Sequence, residues 1–206
     1  MTASVLSLSD SQSILQAARV LADGGIVVAP TETRYGLLVR GDNNLAVQKL
    51  FEIKGRQFSS PTALFVSGKQ EISRLGIVTP IVQDLMNEFL PGPLTLVLTS
   101  RIDWPAPRVV DGKIGIRLSS SPLIRQLVEA VEAPLTATSA NLSGQPDRET
   151  IHDIQSDFGS QVDLYIDGGR LSGPVSTVVE CTNSSYRILR VGAIPIEEIE
   201  RITGRD

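Results

Sequence analysis

A single cysteine, Cys181, and a single histidine, His152, narrow the chemistry open to this 206-residue chain. One thiol excludes an intrachain disulfide. One thiol and one imidazole are too few for a structural zinc site, and the pattern fits a reducing cytoplasm. Catalysis by a Ser-His-Asp or Cys-His set would have to rest on His152 alone, and His152 stands near the start of an expected short helix, where it reads as a surface polar residue. Cys181, at a strand end, reads as a small packing residue. Long apolar runs are missing too: the longest are the four residues 26–29 and 63–66, against the roughly 20 that a membrane helix needs. The first seven residues carry neither a basic stretch nor an apolar core, so no secretory signal is expected. Neither G-x-x-x-x-G-K-[ST] nor G-x-G-x-x-G occurs, so a nucleotide site would have to use other groups.

What is present is ordinary for a globular protein: 41% hydrophobic and 20% charged residues rule out a disordered chain. Net charge is −4, but the sign is uneven. Residues 31–60 hold five basic and three acidic side chains, and residues 101–125 hold five and two. Two basic stretches in an acidic chain suit a focused anion site better than a broad nucleic-acid surface.

Periodicity alternates between the helical and extended kinds. Helices are expected from a cap at Asp10 or Ser11 to a stop at Gly24, and from Asn43 or Asn44 to Lys54 with Gly55 as terminator. Others are expected from Thr79-Pro80 to Leu90, over Pro122–Val131, Thr150–Phe158 and Ile196–Ile202. Strands are expected at Gly25–Pro30, Thr62–Val66, Leu94–Thr99, Ile114–Leu118, Leu135–Ser139, Asp163–Asp167, Ser176–Cys181 and Tyr186–Val191. The last three crowd together, so the order is no clean β-α alternation. A single α/β domain over residues 1–206, with a mixed sheet and helices packed on it, is the expected fold. Asn141–Arg148 is the expected exposed loop.

Four segments carry possible chemistry, and each also has a plain structural reading. Pro30–Gly36 follows an apolar strand, where ligands of open α/β sheets sit, yet its hydroxyls equally suit a turn bonding its own backbone. Lys54-Gly55-Arg56 closes a helix, as a dipole-compensating cap or as two cations placed for phosphate. Thr136–Gly144 crowds small hydroxyl and amide groups after a strand, as a ligand cradle or a polar turn. Arg117 and Arg190 stand in apolar strands, where an arginine either faces solvent or has an anion partner.

In this order the segments Pro30–Leu37, Phe51–Arg56, Pro91–Leu98, Ile114–Arg117, Ser139-Ala-Asn141, Asp167-Gly-Gly169, Ser176–Val179 and Ile188–Arg190 resemble the YrdC-like family, from about Gly24 to Ile194. The resemblance implies a twisted mixed β-sheet with packed helices around a basic concave cavity. It implies synthesis of L-threonylcarbamoyladenylate from L-threonine, bicarbonate and ATP, with release of pyrophosphate, for the N6-threonylcarbamoyl modification of tRNA adenosine 37. By the same resemblance Lys54, Arg56, Ser139 and Asn141 are the catalytic, nucleotide-binding tetrad. Thr31, Arg117 and Ser176 line the threonine pocket, and Arg190 contacts the nucleotide. ATP enters as a substrate with Mg2+, no protein-bound metal site is expected, and tRNA and the other modification proteins are the implied partners, with no membrane. The chain departs from the family at Arg34, usually aliphatic; at Thr138, usually proline; and after Arg56, where Gln57–Thr62 replaces a proline and Asn-Pro-Leu. A non-catalytic relative binding nucleotide or RNA is the alternative. The extra C-terminal domain of longer synthases has no counterpart, so the short form is expected.

Overall fold

The computed structural model describes residues 4–182 and 185–204. Among them eleven strands form one mixed sheet: β1 (Ser4–Ser7), β2 (Val27–Pro30), β3 (Tyr35–Leu38), β4 (Ala63–Phe65), β5 (Leu94–Thr99), β6 (Val109–Val110), β7 (Lys113–Arg117), β8 (Leu135–Ser139), β9 (Leu164–Asp167), β10 (Thr177–Thr182) and β11 (Ser185–Arg190). Their order is β1-β9-β2-β3-β8-β4-β7-β5-β10-β11, with β6 paired to β7. Pairs β1/β9, β2/β9, β4/β7 and β5/β10 are parallel, the others antiparallel. Seven helices pack on it: α1 (Ser13–Ala22), α2 (Asn44–Lys54), α3 (Lys69–Leu75), α4 (Pro80–Phe89), α5 (Pro122–Val131), α6 (Ile151–Phe158) and α7 (Ile196–Thr203).

Side-chain alternation along each strand fixes which face the helices cover. In one half of the sheet both faces are covered: α1 and α5 pack with Val27, Ala29, Leu135 and Leu164, while α2 and α6 pack with Val28, Leu37 and Tyr165. In the other half only one face is. Leu64, Leu96, Leu98, Ile114, Ile116 and Val179 turn toward α3, α4 and α7. The alternate residues Ala63, Thr95, Val97, Gly115, Arg117, Val178 and Glu180 border a cavity of about 450 Å³ instead. Small residues keep this floor low: a Cβ on Gly115 would come within 3.0 Å of the Ala63 Cβ.

Most expected elements stand within a residue or two of their expected ends. Two boundary signals act as read: Asn43 Oδ1 accepts from the Ala46 N–H and Gly55 closes α2 at φ +61°, while Thr79 caps α4 ahead of Pro80. The first helix starts later than expected, at Ser13, because Asp10 Oδ1 accepts from the Gln12 N–H in a turn before it. Four elements were not foreseen. β1 and α3 are too polar to show a core-facing stripe, and β6 spans two residues. β3 was hidden inside the Pro30–Leu37 segment: Thr31–Arg34 is a tight turn, and the chain doubles back to pair Pro30 with Tyr35. The three late strands do not lie together either. β9 crosses to the far half, between β1 and β2, and only β10 and β11 form a hairpin. No helix among the described residues is long and apolar enough to cross a membrane.

Candidate active site

Helix α2 ends at the cavity wall. Its left-handed glycine lets Gly55 N–H and Arg56 N–H return to Glu52 O and Phe51 O, so the chain turns sharply and presents Lys54 and Arg56 side by side. Lys54 is buried, 3% exposed, and its ammonium donates to the carbonyls of Ser139 and, at 2.9 Å, Asn141. Ser143 N–H in turn donates to Lys54 O at 2.8 Å. The end of β8 and the loop after it are thus built around the end of α2. Ser139 Oγ donates to Asn141 Oδ1 at 2.5 Å, and the Asn141 amide nitrogen donates to Leu142 O and Gln145 O. Arg56 lies over the Phe51 ring at 5.3 Å and donates to Thr138 Oγ1 and Pro61 O. All four tetrad residues therefore converge, from segments more than 80 positions apart in sequence. Arg56 and Ser139 border the cavity, while Lys54 and Asn141 brace the wall behind them.

Burial pushes the Lys54 ammonium down to about 7, and the neighbouring Arg56 pushes it the same way, with Asp147 opposing. Arg56 is lowered by burial as well. Cations held together without an anion of matching charge form a site prepared to take one.

Arg117 lies deeper, 7% exposed, beneath the Thr31 turn. Its Nη2 pairs with Glu32 Oε1 at 2.9 Å and donates to Thr33 Oγ1 at 3.0 Å, while the guanidinium stacks on Phe65. Its Nε is buried and has no acceptor among the described residues. Glu32 is held from its other side by the Ser119 hydroxyl. Thr31 borders the cavity too, but its hydroxyl is engaged in its own turn, donating to Arg34 O at 2.6 Å and accepting from the Thr33 and Arg34 N–H groups. Ser176 hydrogen-bonds to Thr95 Oγ1 at 3.0 Å and accepts Arg190 Nη2 at 2.9 Å. Burial and the nearby Arg117 both lower the Arg190 pKa. His152 is on the exposed surface of α6, and Cys181 is buried in the core.

Sequence reasoning gave no role to Glu32, Thr33, Thr95 or Asp147, all of which border the cavity or anchor a group that does. Glu32 and Thr33 were inside a quoted segment. Only the pairing of β3 back onto β2 aims them at Arg117. Asp167-Gly-Gly169 proves to be a clasp: Tyr35 donates to Gly169 O at 2.6 Å and accepts from Gly168 N–H, which fixes the start of β3. Among the described residues five cationic and three acidic side chains border the cavity, so its lining carries a net positive charge.

A mixed sheet left bare on half of one face, with cations and small hydroxyls gathered over it, makes this an α/β protein with a charged cavity. A family model, Sua5_yciO_yrdC, described as telomere recombination, matches residues 19–192. The threonylcarbamoyl-AMP synthase of Pyrococcus abyssi is 35% identical over 193 residues, 91% of this chain and 56% of that protein. That of Bacillus subtilis is 36% identical over 203 residues, 97% of this chain and 58% of that one. The structure of P. abyssi Sua5 complexed with L-threonine superposes with a TM-score of 0.89 at 33% identity, over 98% of this chain and 61% of that one. The chain belongs to the Sua5/YciO/YrdC family, and it spans a little over half the length of these two synthases.

Proposed function

We propose that the protein makes L-threonylcarbamoyladenylate from L-threonine, bicarbonate and ATP, releasing pyrophosphate, and so serves the N6-threonylcarbamoyl modification of tRNA adenosine 37. The observation that carries this reading is the convergence of Lys54, Arg56, Ser139 and Asn141 at one wall of a cavity whose other wall holds Arg117 and Ser176. Names and extents of the relatives support it.

The chemistry asks little of a protein base. Threonine's free amine adds to bicarbonate with loss of water to give a carbamate, whose oxygen attacks the α-phosphorus and displaces pyrophosphate. Both reactants are anionic, so the work is to neutralise their repulsion and hold them in line. Arg56 and Lys54 supply positive charge, and the Ser139 hydroxyl supplies a short hydrogen bond once its one proton turns from Asn141 Oδ1 to a phosphate oxygen. Asn141 holds that hydroxyl at the cavity wall until then. The free Nε of Arg117 is placed for the threonine carboxylate, with Glu32 fixing the guanidinium plane. Ser176 lines the threonine pocket and accepts from Arg190, which contacts the nucleotide, and Thr31 shapes the turn that carries Thr33. Among the described residues no cluster of acidic side chains could hold a metal ion, so an Mg2+ ion would arrive with ATP and draw its ligands from phosphate and water. When bound with ATP, that ion would further neutralise the phosphate oxygens.

Incubation with ATP, bicarbonate and each amino acid in turn, followed by product mass, tests the assignment. Pyrophosphate should appear only when both L-threonine and bicarbonate are present. A protein that binds nucleotide or RNA yet makes no adenylate with any amino acid would refute it. A second expectation concerns protons. Lys54 is depressed to about 7 in the free protein, and a bound triphosphate raises it, so binding at pH 8.5 takes up about one proton and affinity falls as pH climbs above 7. Calorimetry in buffers of differing ionisation heat reads this directly. The same depression makes the Lys54 contribution to stability improve between pH 7 and 10, where the unfolded chain holds the extra proton.

A further inference from the structure

Two charged residues on the cavity wall have no part in the reaction as described. Arg34 sits at the tip of the β2–β3 hairpin, and Asp147 sits on the loop between β8 and α6; both border the cavity. One Nη of Arg34 donates to Leu171 O at 3.1 Å and lies 3.7 Å from Glu149 Oε1. Its Nε lies 3.7 Å from Asp147 Oδ2, beyond hydrogen-bond reach, and is buried without an acceptor among the described residues. Native interiors seldom leave such a donor unpaired, and a guanidinium Nε beside an anion cavity has an obvious class of acceptor. Asp147 makes no hydrogen bond through its carboxylate among the described residues, yet it is close enough to Lys54 and Arg190 to be felt by both. One loop carboxylate thus faces three cations contributed by β3's turn, α2 and β11.

We propose that Asp147 is an internal counter-ion standing in for the phosphate charge of the substrate, and that Arg34 is a further phosphate-binding cation, unmasked when the triphosphate displaces Asp147. The proposal rests on the reading of this cavity as a nucleotide site. Three cations around a low-dielectric hollow repel one another, and a carboxylate on a loop offsets that repulsion while the cavity is free. A triphosphate carries more charge and more acceptor oxygens than one carboxylate, so it wins the competition and drives the loop carboxylate outward. Arg34 does not follow, because Leu171 O and Glu149 tether it from behind. Its Nε–H is then left facing a phosphate oxygen, in the fork geometry that arginine offers and lysine does not.

Titration of the full chain with inorganic tripolyphosphate and with ATP, in magnesium-free buffer, tests this. Asp147→Asn should tighten both by about threefold to tenfold, the range of a partly exposed ion pair removed. Arg34→Gln should weaken both by about fivefold or more, and the gain from Asp147→Asn should shrink in the Arg34→Gln background. An Asp147→Asn protein that binds less tightly than, or as tightly as, the parent overturns the proposal. So does an Arg34→Gln protein with parental affinity. Should Arg34→Gln fail to fold, Arg34→Lys replaces it, and unchanged affinity in that variant overturns the proposal equally. A Lys54→Met control separates the levels. If it binds as the parent does, or if the parent binds neither ligand, the nucleotide reading falls and takes this proposal with it. If Lys54→Met loses binding while Asp147→Asn and the Arg34 variants match the parent, only the counter-ion proposal falls.

Discussion

Arg56→Ala is expected to slow threonine-dependent pyrophosphate release by a factor of about 10²–10³, the usual loss when one preorganised donor to a reacting anion is removed. Its thermal midpoint should hardly move, because the guanidinium is half-buried and the oxygens it bonds, Pro61 O and Thr138 Oγ1, can turn to water. Lys54→Ala should lose as much activity and also lose stability. Its ammonium is the donor to two carbonyls, Ser139 and Asn141, in a buried setting, and stranding buried acceptors costs about 1–3 kcal/mol. Lys54→Met restores the volume without the charge, so it should regain part of the stability and none of the rate. Steady-state pyrophosphate assays beside thermal melts check the pair. Parental rates in both alanine variants, or activity that falls only as fast as the folded fraction, would show that these cations are helix-end caps and nothing more.

Arg117→Met is expected to produce the largest loss of stability, about 3–5 kcal/mol, because it leaves the Glu32 carboxylate in a shielded site without its cation. For a chain of this length that is a fall in Tm of roughly 10–15 °C. Glu32→Gln in the same chain should return much of it, since the pair is worth less than the charge left alone. Threonine binding should stay lost in the double variant while ATP binding persists, because the buried Nε goes with the arginine and the tetrad does not. Melting curves and ligand titrations of the three proteins settle it. A double variant no more stable than Arg117→Met would mean that the arginine acts through its packing on Phe65.

Much of this site could be read before any coordinates. Asn43 or Asn44 at its start and Gly55 at its end delimited α2, and so fixed where Lys54 and Arg56 leave the helix. The hydroxyl-rich run after β8 marked the other half of the tetrad. What stayed hidden were partners that only pairing creates. Arg117 was expected either to face solvent or to have an anion partner, and Glu32 becomes that partner only because β3 folds back and the turn is carried over β7. Thr31 was assigned to the threonine pocket by resemblance alone; its hydroxyl bonds within the turn itself, while Thr33, two places on, is the residue that faces the arginine. Asp147 was one acid in a polar loop, with nothing local to say that it would hang among cations.

The amino-acid order alone determined most of the elements and their sided character, because caps, glycines and apolar spacing act within a few residues of one another; β1, β3, β6 and α3 escaped it. It also carried the family, through short segments whose order survives without their contacts. Tertiary structure alone decided that three helices cover just one face of β4, β7, β5 and β10, leaving Ala63, Gly115 and their neighbours as a cavity floor. It alone decided which charges meet there. The Coulomb field of a side chain depends on distance and burial, and neither is written in sequence separation when the groups that meet lie more than 80 residues apart.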